Sequence, residues 1–585
     1  MNNLVLKTFN KAVATGITLP FNVLNENSLK HGFIIHPELC NEEVLNWVKS
    51  KQSDYNSTFY KNWSDITSKS RIELWSDQLR HYASTYGTNY EGEAYIPKKE
   101  SPDENINISN FKVIMPISKE EVSERCLNML YSGIALKQET INDVLSILAW
   151  LDTKIDIEKV KNKEAKMFLY KQTGVLPKEP NEMVRFLVYL STEKTLLIKD
   201  SFTIQTIAAN YNLNISDLVQ KFGYEKLSQV FYRFKPLFLA FRNNEPNRKC
   251  INELRRLAER NHIPMNKGYF EQLLSNPQSV VELPNRLKDI TNFKKISLLQ
   301  AILVRQKELE NRAFVVRNQK LFIKQQKVES NQYLQLIYNV IYSDLAESLK
   351  SKSTRIKLPK GVNITLPTSE KSFVGNYPLG TSFDFSDSDN IVGINWKGID
   401  GAQDIDLKLI DIDGNAYGWN VAYKNENNSI IYSGDMTSAN PEATELFYTS
   451  KGFRPAIVKV NLFNGQPNSK FKFFLAKEKI VDMKRNYMVN PNNIVINVDC
   501  EMDSQEKMLG VITDKKFILA HFRTGKGRVA YSSVTDLYTE YALKTLDCYV
   551  SLEKLLSDAG FEITDKNPKI DLTELSKDTL IDLIK

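Results

Sequence analysis

The period of the apolar residues changes near Ile356. Upstream they recur three and four apart, as at Ile141, Val144, Leu145, Leu148 and Leu151, which is one face of an amphipathic helix. Downstream they alternate, as at Ile405, Leu407 and Leu409, the pattern of a half-buried strand. Glycine divides the same way: 9 of the 23 lie in residues 1–370 and 14 in the shorter stretch 371–585. Glycine supplies the positive-φ turns that join many short strands. A chain of 585 residues is long enough for several cores, at ~100–200 residues each. The expectation is a multidomain α+β protein in four parts: a mixed region over 1–115, a basic α-helical domain over 116–353, a β-sandwich with a terminal helix over 354–565, and a tail over 566–585.

Within the helical part, short amphipathic segments follow one another without strands, as in a degenerate solenoid of stacked helical pairs. Pro236 should break the apolar run Leu227–Phe241 into a kink or two short helices. Phe314–Lys324, with Asn318 and Gln319 at its centre, reads as a hairpin, and Glu329–Leu349 as a long closing helix. The sandwich strands are expected at Val362–Leu366, Ser382–Phe385, Ile391–Trp396, Asp404–Ile410, Ala416–Val421, Ser429–Tyr432, Ile457–Leu462, Phe471–Ala476, Asn493–Asn497, Gly510–Ile512, Phe517–Phe522 and Arg528–Tyr531. A helix over Val534–Leu556 should follow, and Asp571–Lys585 reads as a short amphipathic helix or a loosely held tail. Pro97–Asn110 is polar and turn-rich, as a linker would be.

Composition excludes several classes. Hydrophobic residues are 42% and charged residues 25%, which is ordinary for a globular chain and unlike a disordered one. No apolar run reaches the ~18 residues of a membrane helix, and the first residues do not resemble a secretory leader. Cys40, Cys126, Cys250, Cys500 and Cys548 are widely spaced and form no CxxC pair, against both a disulfide framework and a cysteine-ligated zinc. The expectation is a reducing compartment, the cytoplasm or a virion assembled in a cell. The five histidines make no HExxH motif, no GxSxG elbow is present, and Thr524–Gly527 lacks the glycine and the Ser/Thr of a P-loop. No catalytic residue stands out, so a non-enzymatic binding protein is expected.

Two clusters carry chemistry. The first is acidic. Asp404, Asp406 and Lys408 share one face of a strand, with Asp435, Glu442 and Glu445 further on. Neighbouring carboxylates repel, and a hard cation such as calcium relieves them with six to eight oxygen ligands. A solvated strand face and a type I′ turn at Asp413-Gly414 account for the same residues without an ion. The runs Ile394-Asn-Trp396, Asp404-Ile-Asp406-Leu407 and Ile431-Tyr-Ser-Gly434-Asp435, with Glu445 beyond them, resemble the tellurium-resistance TerD family. That family is a calcium-binding β-sandwich with an Asp-Leu-Asp strand and a later Gly-Asp turn. The likeness spans roughly 370–560 and departs after Asp435, where Met436-Thr-Ser-Ala439 stands. It implies a sandwich, a calcium held by Asp404, Asp406, Asp435 and Glu445, and a stress-response setting.

The second cluster is basic. The net charge is +7, yet residues 229–330 alone hold 20 Lys and Arg against 9 Asp and Glu. Lys235, Arg242, Lys249, Arg255, Arg256, Arg260 and His262 are candidates to contact RNA or another polyanion through its phosphates. The interleaved Phe231, Tyr232, Phe234, Phe238 and Phe241 could stack on bases, or else pack as core beneath solvated cations. The order Thr195–Lys199, Phe231–Phe241, His262–Pro264 and Leu298–Leu303 resembles the Ro/TROVE family of helical-repeat RNA-binding proteins. Asp384, Ser386 and Ser388 have the spacing of that family's metal motif, but no buried strand precedes them. The functional expectation is an intracellular scaffold, with protein partners and no membrane, that binds RNA through its helices and calcium through its sandwich. The alternative is a phage-associated or virion structural protein whose basic face contacts subunits or packaged nucleic acid.

Overall fold

The computed structural model describes the chain except residues 17–27, 30–31, 51–57, 60–62, 86–110, 194–200, 211, 262–268, 276–279, 308–310, 316–320, 326–332, 386–388, 399–402, 438, 440–441, 451–454, 467, 479–486, 514, 526–544 and 547. The Pro97–Asn110 linker, the Arg528–Tyr531 strand, His262 and Ser386–Ser388 therefore lie outside the described residues. The protein is multidomain α+β, with helices concentrated in the first and middle parts and sheet in the C-terminal part. It divides into two compact units. One comprises Met1–Val122 with Arg286–Lys585, and the other is Ser123–Asn285. Residues 286–353 thus group with the chain's outer parts, although helical patterning alone joined them to the middle.

The sandwich has twelve strands: β1 Val362–Asn363, β2 Ser382–Asp384, β3 Asn390–Lys397, β4 Asp404–Asp411, β5 Ala416–Tyr417, β6 Ile430–Tyr432, β7 Glu442–Thr449, β8 Ala456–Asn464, β9 Ser469–Lys477, β10 Ile494–Met502, β11 Glu506–Ile512 and β12 Lys516–Gly525. One sheet has the order β5-β4-β8-β11-β12-β2-β1, and the other β6-β7-β3-β9-β10. All ladders are antiparallel. Ile405, Leu407 and Leu409 of β4 are buried in one core with Val458 and Val460 of β8 and with Ile394, Phe447 and Phe473 of the second sheet. At Gly393 on β3 the Phe474 ring of β9 comes so close that an added Cβ would lie 2.1 Å from its Cζ. The turn from β4 to β5 departs from the expected type I′. Gly414 alone has a positive φ, +84°, its N–H donates to the Asp411 carbonyl, and Asp413 keeps an ordinary φ. The Asp411 carboxylate organises this turn by accepting the Asp413 and Asn415 amides at 3.0 and 2.8 Å.

Two small parallel sheets belong to the same unit. Lys112–Pro116 lies between Lys11–Ala12 and Phe33–Ile35. Leu6, Phe33, Ile35, Val44, Val48 and Ile114 form the core that joins this sheet to helices Asn2–Phe9 and Glu42–Ser50. Arg355–Lys357 lies between Glu562–Ile563 and Ile570–Asp571. Of the helix expected over Val534–Leu556, residues 534–544 and 547 lie outside the described residues; helix Leu552–Asp558 is described, and just before it the Val550 carbonyl and the Leu552 amide bond to the chain at 364–366. The last residues are no loose tail. Helix Lys577–Ile584 buries Leu580, Ile581, Leu583 and Ile584. Asn292 donates to the Ile584 carbonyl at 2.8 Å and Lys352 to the Asp582 carbonyl at 2.8 Å, satisfying acceptors that a helix C-terminus leaves open.

The regular structure described in the second unit is all helical. Pro236 splits the apolar run into Tyr224–Phe231 and Lys235–Ala240, starting the second helix where its missing N–H costs nothing. Phe231, Phe234, Phe238 and Phe241 are buried in the core with Ile251, Leu254 and Ala258 of helix Glu245–Arg260. Asn247 is fully buried in that helix. Its side chain accepts the Ile215 amide at 2.7 Å and donates to the Leu213 carbonyl at 2.9 Å.

Candidate metal centre

Alternation along β4 sends Ile405 and Leu407 into the core and places Asp404 and Asp406 on the opposite face. That face is buried: Asp404 and Asp406 are 2% and 3% exposed. After β6 the chain turns at Gly434, whose φ of +108° suits glycine, and brings Asp435 to the same place. Carboxylate oxygens of Asp404, Asp406 and Asp435 lie within 4.8 Å of one another. Two oxygens that each sit ~2.3–2.6 Å from one calcium are at most ~5 Å apart, so one ion can touch all three residues. The donors are hard oxygens, which suits calcium or magnesium and not a soft metal.

Electrostatics agree with the geometry. Burial holds the Asp406 carboxyl well above the usual carboxylate range, and the charges of Asp404, Glu445 and Asp435 push the same way. Asn461, opposite Asp406 on β8, donates to it at 3.4 Å and opposes the shift. Lys408 continues the face, and burial followed by repulsion from Lys459 lowers its pKa. Lys459 itself is engaged by Glu506 at 3.0 Å, with both side chains buried.

Glu445 lies beside the three aspartates and outside the converging group. Its Oε2 accepts the Leu407 amide at 2.7 Å and its Oε1 the Met436 amide at 3.0 Å. The first amide is on the strand that carries Asp406, and the second directly follows Asp435. Strand β5 pairs only with Leu409 and Ile410, so the β4 edge at Leu407 is capped by this carboxylate in place of a neighbouring strand. Glu445 thus ties one sheet to the loop of the other behind the aspartates. Burial raises its pKa, with Asp435 adding to the effect.

The basic candidates are on the surface of the helical unit. Lys235 is half-buried, with its ammonium 5.5 Å from the Tyr232 ring centroid. Arg242, Lys249, Arg255, Arg256 and Arg260 are exposed. Arg255 pairs with Glu259 at 2.8 Å and Arg256 with Glu253 at 2.7 Å, along their own helix. Arg242, Lys249 and Arg260 make no ion pair among the described residues. The phenylalanines between them are core, so they offer no stacking platform. No family model, curated protein or solved structure matches the chain.

Sequence reasoning named the three aspartates. It passed over Asn461, whose signal was a polar residue, with Lys459, alternating with Val458, Val460 and Leu462 on β8.

Proposed function

We propose that the protein is a binding protein whose β-sandwich holds a calcium ion between Asp404, Asp406 and Asp435. The observation that carries this reading is the meeting of three buried carboxylates from two elements within 4.8 Å. Burying like charges together is costly unless a counter-charge joins them, and a calcium ion supplies two positive charges to hard oxygen donors. The resemblance to the TerD family supports the same ion. Calcium should raise the melting temperature and a chelator lower it. Stabilisation amounts to about 2.7 kcal/mol at a hundredfold excess over Kd. Magnesium should do less, because it demands a smaller octahedral shell. Asp406→Asn should remove most of the calcium shift while costing little without the ion, since it also removes a repulsion. A melting temperature indifferent to calcium and chelator rejects this reading.

A second reading concerns the helical unit. We infer that it binds RNA through its exposed cations, on the observation that Arg242, Lys249 and Arg260 are not neutralised by ion pairs among the described residues. Binding should weaken linearly in log Kd against log salt, with a slope that counts the phosphates neutralised. Replacing Arg242 and Lys249 by Gln should lower both affinity and slope. Absence of binding at low salt rejects it.

A further inference from the structure

The helical unit has a surface pocket of about 420 Å³. It forms where the end of helix Ser201–Asn210 meets Lys235–Ala240 and the start of Glu245–Arg260. Ala208, Ala209, Ala240 and Phe241 share its lining with four asparagines. Asn210, Asn212 and Asn244 stand around it, and Asn247 lies beneath. The buried Asn247 amide is spent on holding the framework, through Leu213 and Ile215. The other three are exposed, and their side chains make no hydrogen bond among the described residues.

Asn244 is the most telling of them. It occupies the N-cap of helix Glu245–Arg260, where asparagine normally accepts a first-turn amide. Asn162 and Asn214 do this for their own helices in the same unit. Asn244 makes no such bond, so its carboxamide remains available at the pocket mouth. Each carboxamide offers two donors and two acceptor lone pairs. A set of them in a pocket whose other lining residues are mostly small alanines complements a flat heterocycle with a mixed donor and acceptor edge. Arg242 and Lys249, within a few residues of Asn244, supply charge for an attached phosphate. A neutral sugar would use the amides and leave the cations unexplained; a simple anion would use the cations and leave the set of carboxamides unexplained.

We propose that this pocket is a nucleobase subsite, receiving an unpaired base of single-stranded RNA while Arg242 and Lys249 hold the adjoining phosphates. Single-stranded RNA is read by splaying out bases whose Watson–Crick edges meet side chains, and a duplex cannot present them in this way. The proposal rests on the RNA reading of the helical unit.

The test uses the full-length chain and fluorescence anisotropy with three probes: a labelled single-stranded oligonucleotide RNA, a duplex RNA, and inorganic polyphosphate as competitor. Ala209→Leu, which fills the pocket, and Asn244→Ala, which strips its mouth, should each weaken single-stranded RNA about tenfold. Neither should change the salt slope, the competition by polyphosphate or the melting temperature. Arg242→Gln with Lys249→Gln should instead lower the slope for all three probes. Pocket variants that bind single-stranded RNA as the parent does overturn the subsite alone. So does a parent protein that prefers duplex or does not distinguish RNA from polyphosphate. Failure to bind any of the three at low salt overturns the RNA reading, and the subsite with it.

Discussion

Glu445 accepts one backbone amide on each of its two carboxylate oxygens. Replacing it by Gln would keep one acceptor and set an NH2 group against a buried N–H. An unsatisfied buried donor costs about 1–3 kcal/mol. Glu445→Gln should therefore lower the melting temperature in the presence of chelator as well as of calcium, and should weaken calcium by loosening Asp435. Asp406→Asn should act only when calcium is present. Thermal scans of both variants, with calcium and with chelator, separate a clamp from a ligand. The aspartates were legible because alternation fixes which residues share a strand face. The role of Glu445 was not, because spacing carries no information on which carboxylate oxygen meets which amide across two sheets.

Among elements, β3, β4 and β8 were readable from their apolar residues, and β7 was missed. Every residue of β7 is buried, so its two faces do not alternate in polarity, and Glu442, Thr444 and Glu445 disguise it as a loop. Of the helix expected over Val534–Leu556, residues 534–544 and 547 lie outside the described residues; at 550–552 the chain bonds to 364–366, and helix Leu552–Asp558 begins only there. The β3–β9 contact gives a prediction at this scale. Gly393→Ala would drive a methyl into the Phe474 ring and should cost about 1–3 kcal/mol by overpacking, read from urea unfolding. Phe474→Leu, itself destabilising, should reduce the penalty of Gly393→Ala when the two are combined. Additive losses in that cycle would show that the ring is not the obstacle.

At the scale of the whole molecule, periodicity located helix and sheet but not the partition into units. Contacts that join Met1–Val122 to Arg286–Lys585 are between residues far apart in sequence, and no local pattern encodes them. The division affects which fragments fold. Residues 118–285, expressed alone, should give a helix-dominated circular dichroism spectrum and a cooperative melt, since their core is their own. Residues 356–585 should not reproduce the sandwich of the intact protein. That cut runs through strand Arg355–Lys357 and removes Ile66 and Leu74, which lie in the sandwich core. A native-like β spectrum with an unchanged melting temperature from the 356–585 fragment would refute the partition.

The discontinuity of the larger unit also sets an order of events during synthesis. The helical unit is complete once Asn285 has left the ribosome, and it can fold at that moment. The first 122 residues cannot reach their final state so soon, because their partners extend to Lys585. At ~5–20 residues per second they wait on the order of tens of seconds with a partly formed core, and chaperones would meet this protein first at its N-terminal part.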